Sequence, residues 1–310
     1  PGRTPISNET GTEVSLMAVH QIHVNHRLKK RRRAESVFRF ILIASVILVS
    51  LILSVILVSI LWKSLPALKL SMILETPGTG YYLGKKGGIL NAIVGSLEIA
   101  FGATLIALLI ALPIVIYLNT YLKRRSFLAE VIRLSLDVLW GIPSIVYGVF
   151  GFLLMLILHL RASLLAGMVT IALVELPILS RALDETIRLV PAELKEASYA
   201  LGASRWQTAT RVVLRQALPG LITSVLIALG RGLGDGASVL FTAGYTDRIT
   251  TSLLQPVATL PLAIFFQLNS PFPEVQQRAF ASANILTLLI LFISLLTRFF
   301  GRRLSKHKIR

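Results

Sequence analysis

The chain has 310 residues, 54% of them hydrophobic and only 15% charged, with a mean hydropathy of +0.74. That balance argues against two soluble domains and for a polytopic membrane protein, since about 20 apolar residues cross the roughly 30 Å hydrocarbon layer. The net charge of +17 does not imply nucleic acid: the basic residues form short clusters beside apolar runs, without interleaved aromatics, as topology and anionic lipid require. The lack of cysteine excludes disulfides, thiolate chemistry and cysteine metal sites.

Residues 1–35 read as a basic cytoplasmic tail, because Arg27-Leu28-Lys29-Lys30-Arg31-Arg32-Arg33 directly precedes an apolar run. His20, His23 and His26 recur every third residue, but without carboxylates or cysteines around them they read as solvated rather than metal-binding. The run Ile41–Trp62 is longer than a signal-peptide core and is expected to be an uncleaved anchor within a first span at about 37–62. Pro66, Pro77, Gly78, Gly80, Gly87 and Gly88 mark an outer loop. A second span, about 89–118, carries Glu98 and Pro113, and Lys123-Arg124-Arg125 returns the chain to the cytoplasm.

The third span is expected to start near Leu134. Its strip Gly141-Ile142-Pro143-Ser144-Ile145-Val146-Tyr147-Gly148 is similar to a signature of the phosphate-specific permeases of ABC transporters; without that resemblance it reads as a Pro-kinked helix with small packing residues. A short outer turn at His159 and Arg161 leads to a fourth span, about 163–182, interrupted by Glu175, Pro177 and Arg181. The strip from Leu176-Pro177 through Arg181 to Val190-Pro191 is also similar to that family.

The polar stretch 191–215 lies between apolar segments and is expected at a membrane surface. Pro191 is suited to start a helix there and Gly202 to end it. Glu196, Ala197, Ser198, Gly202 and Leu214 resemble the EAA loop of ABC transporter permeases, with Ser198 and Arg215 where Ala and Pro are usual. A fifth span, about 217–240, contains Arg231 and Asp235, four positions apart and expected to meet on one helix face. Gly230, Gly232, Gly234 and Gly236 form small-xxx-small patterns suited to close helix packing. This strip looks like Gly-Arg-Ala-Ile-Gly-Glu of the phosphate permeases, with Asp235 in place of Glu. A proline-rich outer segment, 241–281, precedes the last span, about 281–300, and the basic tail beginning Arg302-Arg303.

What the resemblance implies is an all-α membrane protein with six transmembrane helices, the type I ABC importer permease fold, over 36–303, followed by a cytoplasmic tail at 304–310. It implies a PstA-type permease subunit of a phosphate importer in a bacterial or archaeal plasma membrane, with both termini cytoplasmic. Its implied partners are a second, PstC-like permease subunit, a dimer of PstB-like ATP-binding subunits, an extracytoplasmic phosphate-binding protein and membrane lipid, with no nucleic acid. The chain has no GxxxxGK[ST] motif, so no cofactor is expected on it and ATP is expected to be used by the partner. Arg231, Asp235 and Arg181 are the candidate substrate-path residues, since a guanidinium fork matches phosphate oxygens; a structural Arg231–Asp235 ion pair is the alternative. Another oxyanion such as sulfate or molybdate, or a non-transporting membrane sensor or scaffold, remains open at this level.

Overall fold

The computed structural model describes the backbone of residues 9–81, 87–122 and 126–305, and side chains from 35 to 301 within those limits. The side chains of the tail histidines, Arg27–Arg33 and Arg302–Arg303, and all of Lys123–Arg125, lie outside the described residues. Apart from one isolated bridge between Pro77 and Gly87, the described residues form helices and loops. The chain divides into two units, 1–59 and 60–310. The first is helix α1 (Glu9–Ser64) up to Ser59. Its side chains from Val37 to Val58 are exposed and, apart from Arg39 and three serines, apolar on every side, which water does not tolerate and lipid does.

In the second unit a short helix, α2 (Leu70–Leu74), precedes α3 (Leu90–Thr120). Ile99, Ala103, Ala107, Ala111 and Val115 of α3 recur at every fourth position and are buried. They join one core with Ile171, Leu179 and Leu183 of α6 (Leu164–Arg188) and Ala217 and Ala228 of α9 (Leu214–Gly234). In lipid there is no water to expel between helices, so these small side chains stabilise the bundle by letting backbones approach to van der Waals contact.

The start of α6 is completed from outside the helix. Ser163 accepts from the Ala166 amide, while the Leu164 and Leu165 amides donate to the carbonyls of Gln255 and Leu253. Three donors that a helix start leaves open are thereby satisfied, and the loop after α9 is fastened over α6. A separate cluster of Tyr81, Ile89, Leu260 and Ile285 packs α10 (Leu260–Leu268) and α11 (Pro273–Ser305) against the start of α3. Arg278 donates to the Tyr81 carbonyl at 2.6 Å and stands over its ring.

Five stretches are long and apolar enough to cross a membrane: 35–64, 90–120, 164–188, 205–234 and 273–301. The expected third span is not one kinked helix but two, α4 (Phe127–Trp140) and α5 (Ser144–Ile157), bent by 98°. Pro143 supplies no amide and drives Ile142 away from helical geometry, so the apolar run breaks while its hydropathy stays continuous. With the bent pair as one span, the fold is the all-α, six-span permease architecture. Two boundaries also differ from expectation. The fifth span ends at Gly234 rather than near 240, and α11 begins at Pro273 rather than near 281.

Candidate functional site: a surface elbow and an intramembrane charge cluster

The elbow begins where α6 stops. Pro191 caps α7 (Ala192–Ala200) in an extended conformation that suits proline before a helix. At the other end the Ala203 amide donates to the Ser198 carbonyl at 3.1 Å and the Gly202 amide to Tyr199 at 2.9 Å. That bond pair is a Schellman termination, which requires a left-handed residue at its centre; Gly202 has φ +81°. The chain restarts through a reciprocal cap in which Ser204 accepts from the Gln207 amide and Gln207 Oε1 from the Ser204 amide. α8 (Arg205–Gln207) then passes through a π-helical stretch, Thr208–Val213, into α9.

No residue of α7 is buried. Glu196 and Ala197 are exposed, and nothing lies within 4 Å of a Cβ built on Gly202. The half-buried Ser198 places its hydroxyl 2.9 Å from that of buried Thr208, tying α7 to the π-helical stretch. The structure thus brings Glu196, Ala197, Ser198 and Gly202 together on one elbow. Leu214 is not on that surface: it is partly buried against the main core at the elbow's root. Sequence reasoning passed over the large apolar residues displayed here. Leu201 is 89% exposed and Trp206 58%, with Leu189 and Tyr199 also exposed, and exposed apolar groups gathered outside lipid mark a covered surface. The signal was legible, since a helix ending at Gly202 leaves Leu201 no core to enter.

Behind the elbow, three helices meet at one carboxylate. Asp184 of α6 is 1% exposed; it accepts from Asn119 of α3 at 2.7 Å and from Arg133 Nε of α4 at 3.0 Å, and Arg188 Nε lies 3.3 Å away. Asp184 lies just past the fourth span expected from hydropathy, about 163–182, and nothing in its own stretch of sequence marks it as a junction. A neighbouring contact joins Arg181 to Asp137 of α4 at 3.3 Å and to Glu185 at 3.6 Å.

The charge cluster lies where α9 crosses α6. Glu175 is fully buried, and neither carboxyl oxygen has a hydrogen-bond partner among the described residues; Thr104 of α3 faces it without reaching bonding geometry. Arg231 and Asp235 are the charged groups that act on it. A Cβ on Gly232 would collide with Glu175 Oε1, so glycine is what allows α9 to lie over this carboxyl. Gly230 and Gly234 instead leave room for a methyl group beside Ile293 and Ile290 of α11, so the close packing expected of the small-xxx-small pattern falls on Gly232 and on Gly236, where a Cβ would lie 2.7 Å from Pro261.

The expected Arg231–Asp235 pair does not form. α9 ends at Gly234, and Asp235 is extended, its Oδ1 accepting from the Ser238 amide at 3.1 Å. Glycines hold a helix poorly, and an aspartate that bonds a nearby amide competes with helical geometry. Arg231 is exposed and makes no ion pair among the described residues. Arg181, already paired on α4 and α6, does not contact it.

Residues 110–306 match the family described as the inner membrane component of binding-protein-dependent transport systems. The phosphate transport system permease protein PstA of Yersinia pestis is 37% identical over 212 residues, 68% of this chain and 72% of that protein. PstA of Pasteurella multocida is 36% identical over 248 residues, 79% of this chain and 86% of that protein. Among solved structures, an inward-facing form of the MetNI methionine ABC transporter aligns with a TM-score of 0.55 at 21% identity, over 71% of this chain and 96% of that one. An amino acid ABC transporter solved with histidines aligns at 0.52 and 18% identity, over 69% and 92%. Both structures are alike in fold.

Proposed function

Because the chain belongs to the family of inner membrane components of binding-protein-dependent transport systems, we propose that it is the permease subunit of an ATP-driven phosphate importer. The observation that carries this is the elbow: an exposed α7–Gly202–α8 turn that displays Glu196, Ala197, Leu201 and Trp206 away from the helix bundle. The chain's likeness to PstA permeases supports phosphate as the cargo.

The elbow docks on a separate ATP-binding subunit, which uses the ATP; Ala197 and Gly202 leave room for close approach, Glu196 supplies a polar contact, and Leu214 anchors the elbow in the bundle. A second permease subunit completes the path, and an extracytoplasmic phosphate-binding protein delivers the ion. The basic clusters support a cytoplasmic elbow with both termini on the same side.

Closure of the ATP-binding subunits displaces α7. The displacement reaches α3, α4 and α6 through Asp184, which binds all three helices within one turn of the elbow. In the path, Arg231 offers an unpaired planar fork to the phosphate oxygens. Asp235 shapes the turn beside it through Ser238, and the buried Glu175 carboxyl lies beneath Gly232 one residue along α9. Arg181 takes part from an ion network at the inner end of α6, where phosphate competes with Asp137 and Glu185 for its donors.

Uptake of labelled phosphate by vesicles carrying the assembled importer tests the proposal. ATP-dependent accumulation that excess sulfate does not suppress is expected. Indifference to phosphate, or equal competition by sulfate, would assign the path to a different oxyanion.

A further inference from the structure

We propose that the inner mouth of the bundle holds a second anion site, for a phosphoryl group with terminal oxygens, separate from the path at Arg231. A cavity of about 490 Å³ opens where α3, α4, the end of α6 and the start of α7 converge; Asn119, Leu122, Arg133, Arg188, Pro191 and Lys195 are among its walls.

Three features of this cavity point to an anion. Two arginines share one carboxylate: Asp184 meets Arg133 through Nε and Nη2 and Arg188 through Nε. Arg133 Nη1 and both Nη atoms of Arg188 have no partner among the described residues, so donors are left over beside the cavity. Lys195 adds a third cation, and among the wall residues only Glu193 is acidic; it is exposed, so water and salt weaken its opposing charge. Finally, α7, nine residues long, starts here at Pro191 and Ala192 with no side-chain cap on its first amides. The positive end of a helix and two guanidinium forks match a phosphoryl dianion in charge and geometry.

Two sources carry that chemistry at this depth: soluble inorganic phosphate and the headgroup of an inner-leaflet lipid. Either one bridges α7 to α3 and α4, because the cavity wall includes the first turn of the elbow. The site therefore goes beyond the import reading and does not depend on it.

The test uses the full chain in phosphatidylcholine nanodiscs and follows hydrogen exchange at the amides of 192–195. One arm titrates inorganic phosphate; the other adds phosphatidate to the discs with no phosphate in the buffer. Amides covered by the ligand exchange only while it is absent, so their exchange slows by 1 + [L]/Kd, about tenfold at a ligand concentration of about nine times Kd. The slowing is expected to persist in Arg231→Gln, to vanish in Arg188→Gln and to be partly lost in Arg188→Lys, which keeps the charge beside Asp184 without the fork. Slowing in the first arm alone assigns the soluble ion, slowing in the second alone assigns the lipid, and slowing in both assigns a shared site. No slowing in either arm, or undiminished slowing in Arg188→Lys, would overturn the proposal.

Discussion

Replacing Asp184 tests whether the inner ends of α3, α4 and α6 are held by charge or merely lie together. The carboxylate is 1% exposed, and Arg133, whose side chain is 11% exposed, has no other acceptor among the described residues. Asp184→Ala strands that guanidinium, and breaking one side of a buried pair costs about 3–5 kcal/mol. Asp184→Asn keeps an acceptor but loses the charge, so a smaller loss of about 1–3 kcal/mol is expected. The double change Asp184→Leu with Arg133→Met removes both buried charges and should recover most of the loss, because Arg188, one-third exposed, still reaches water. Denaturant unfolding of the purified chain in micelles, followed by circular dichroism, measures the series. An Asp184→Ala variant within about 0.5 kcal/mol of the parent, or a double variant worse than the single one, would refute a clamp held by charge.

Gly202→Val forces a β-branched residue into φ +81°, at a cost of at least about 1–2 kcal/mol to the elbow. With open space around the position, the effect is one of backbone alone. ATP hydrolysis by the assembled importer should continue while labelled phosphate uptake falls, and Gly202→Asn, which tolerates this region, should restore it; equal uptake in Gly202→Val and the parent would contradict the requirement. Gly232→Ala drives a methyl group into the Glu175 carboxyl, an overpacking expected to cost about 1–3 kcal/mol. Gly230→Ala meets only Ile293 at 3.7 Å and should be tolerated. Thermal unfolding of the two variants side by side checks this, and equal stability would show that α9 can move off α6.

Local chemistry made much of this structure legible in the sequence. Pro191 and Gly202 mark the ends of α7 because ring closure and a missing Cβ act at single positions, and both features read directly from the chain. The apolar runs located five of the six expected spans as single long helices, and the sixth is reached only by counting the bent pair α4–α5 as one. The break at Ile142-Pro143 was missed because hydropathy does not fall across it. The Arg231–Asp235 pair was expected from helical spacing, but the glycines around Asp235 release the helix one residue too early. Asp184 was overlooked for a different reason: Arg133 is 51 positions away and Asn119 is 65 away, and only the packing of α3 and α4 on α6 brings them together. Burial of Glu175 beneath Gly232 is likewise a tertiary fact, reached through the crossing of α6 and α9.

The most direct measurement concerns what touches the elbow. The chain contains no cysteine, so Leu201→Cys introduces a single thiol at an 89% exposed position to which a short photoactivated cross-linker can be attached. In membranes containing the assembled transporter, the account predicts an adduct with the ATP-binding subunit whose yield changes when ATP is added. Adducts with lipid alone, at the same yield with and without ATP, would contradict it.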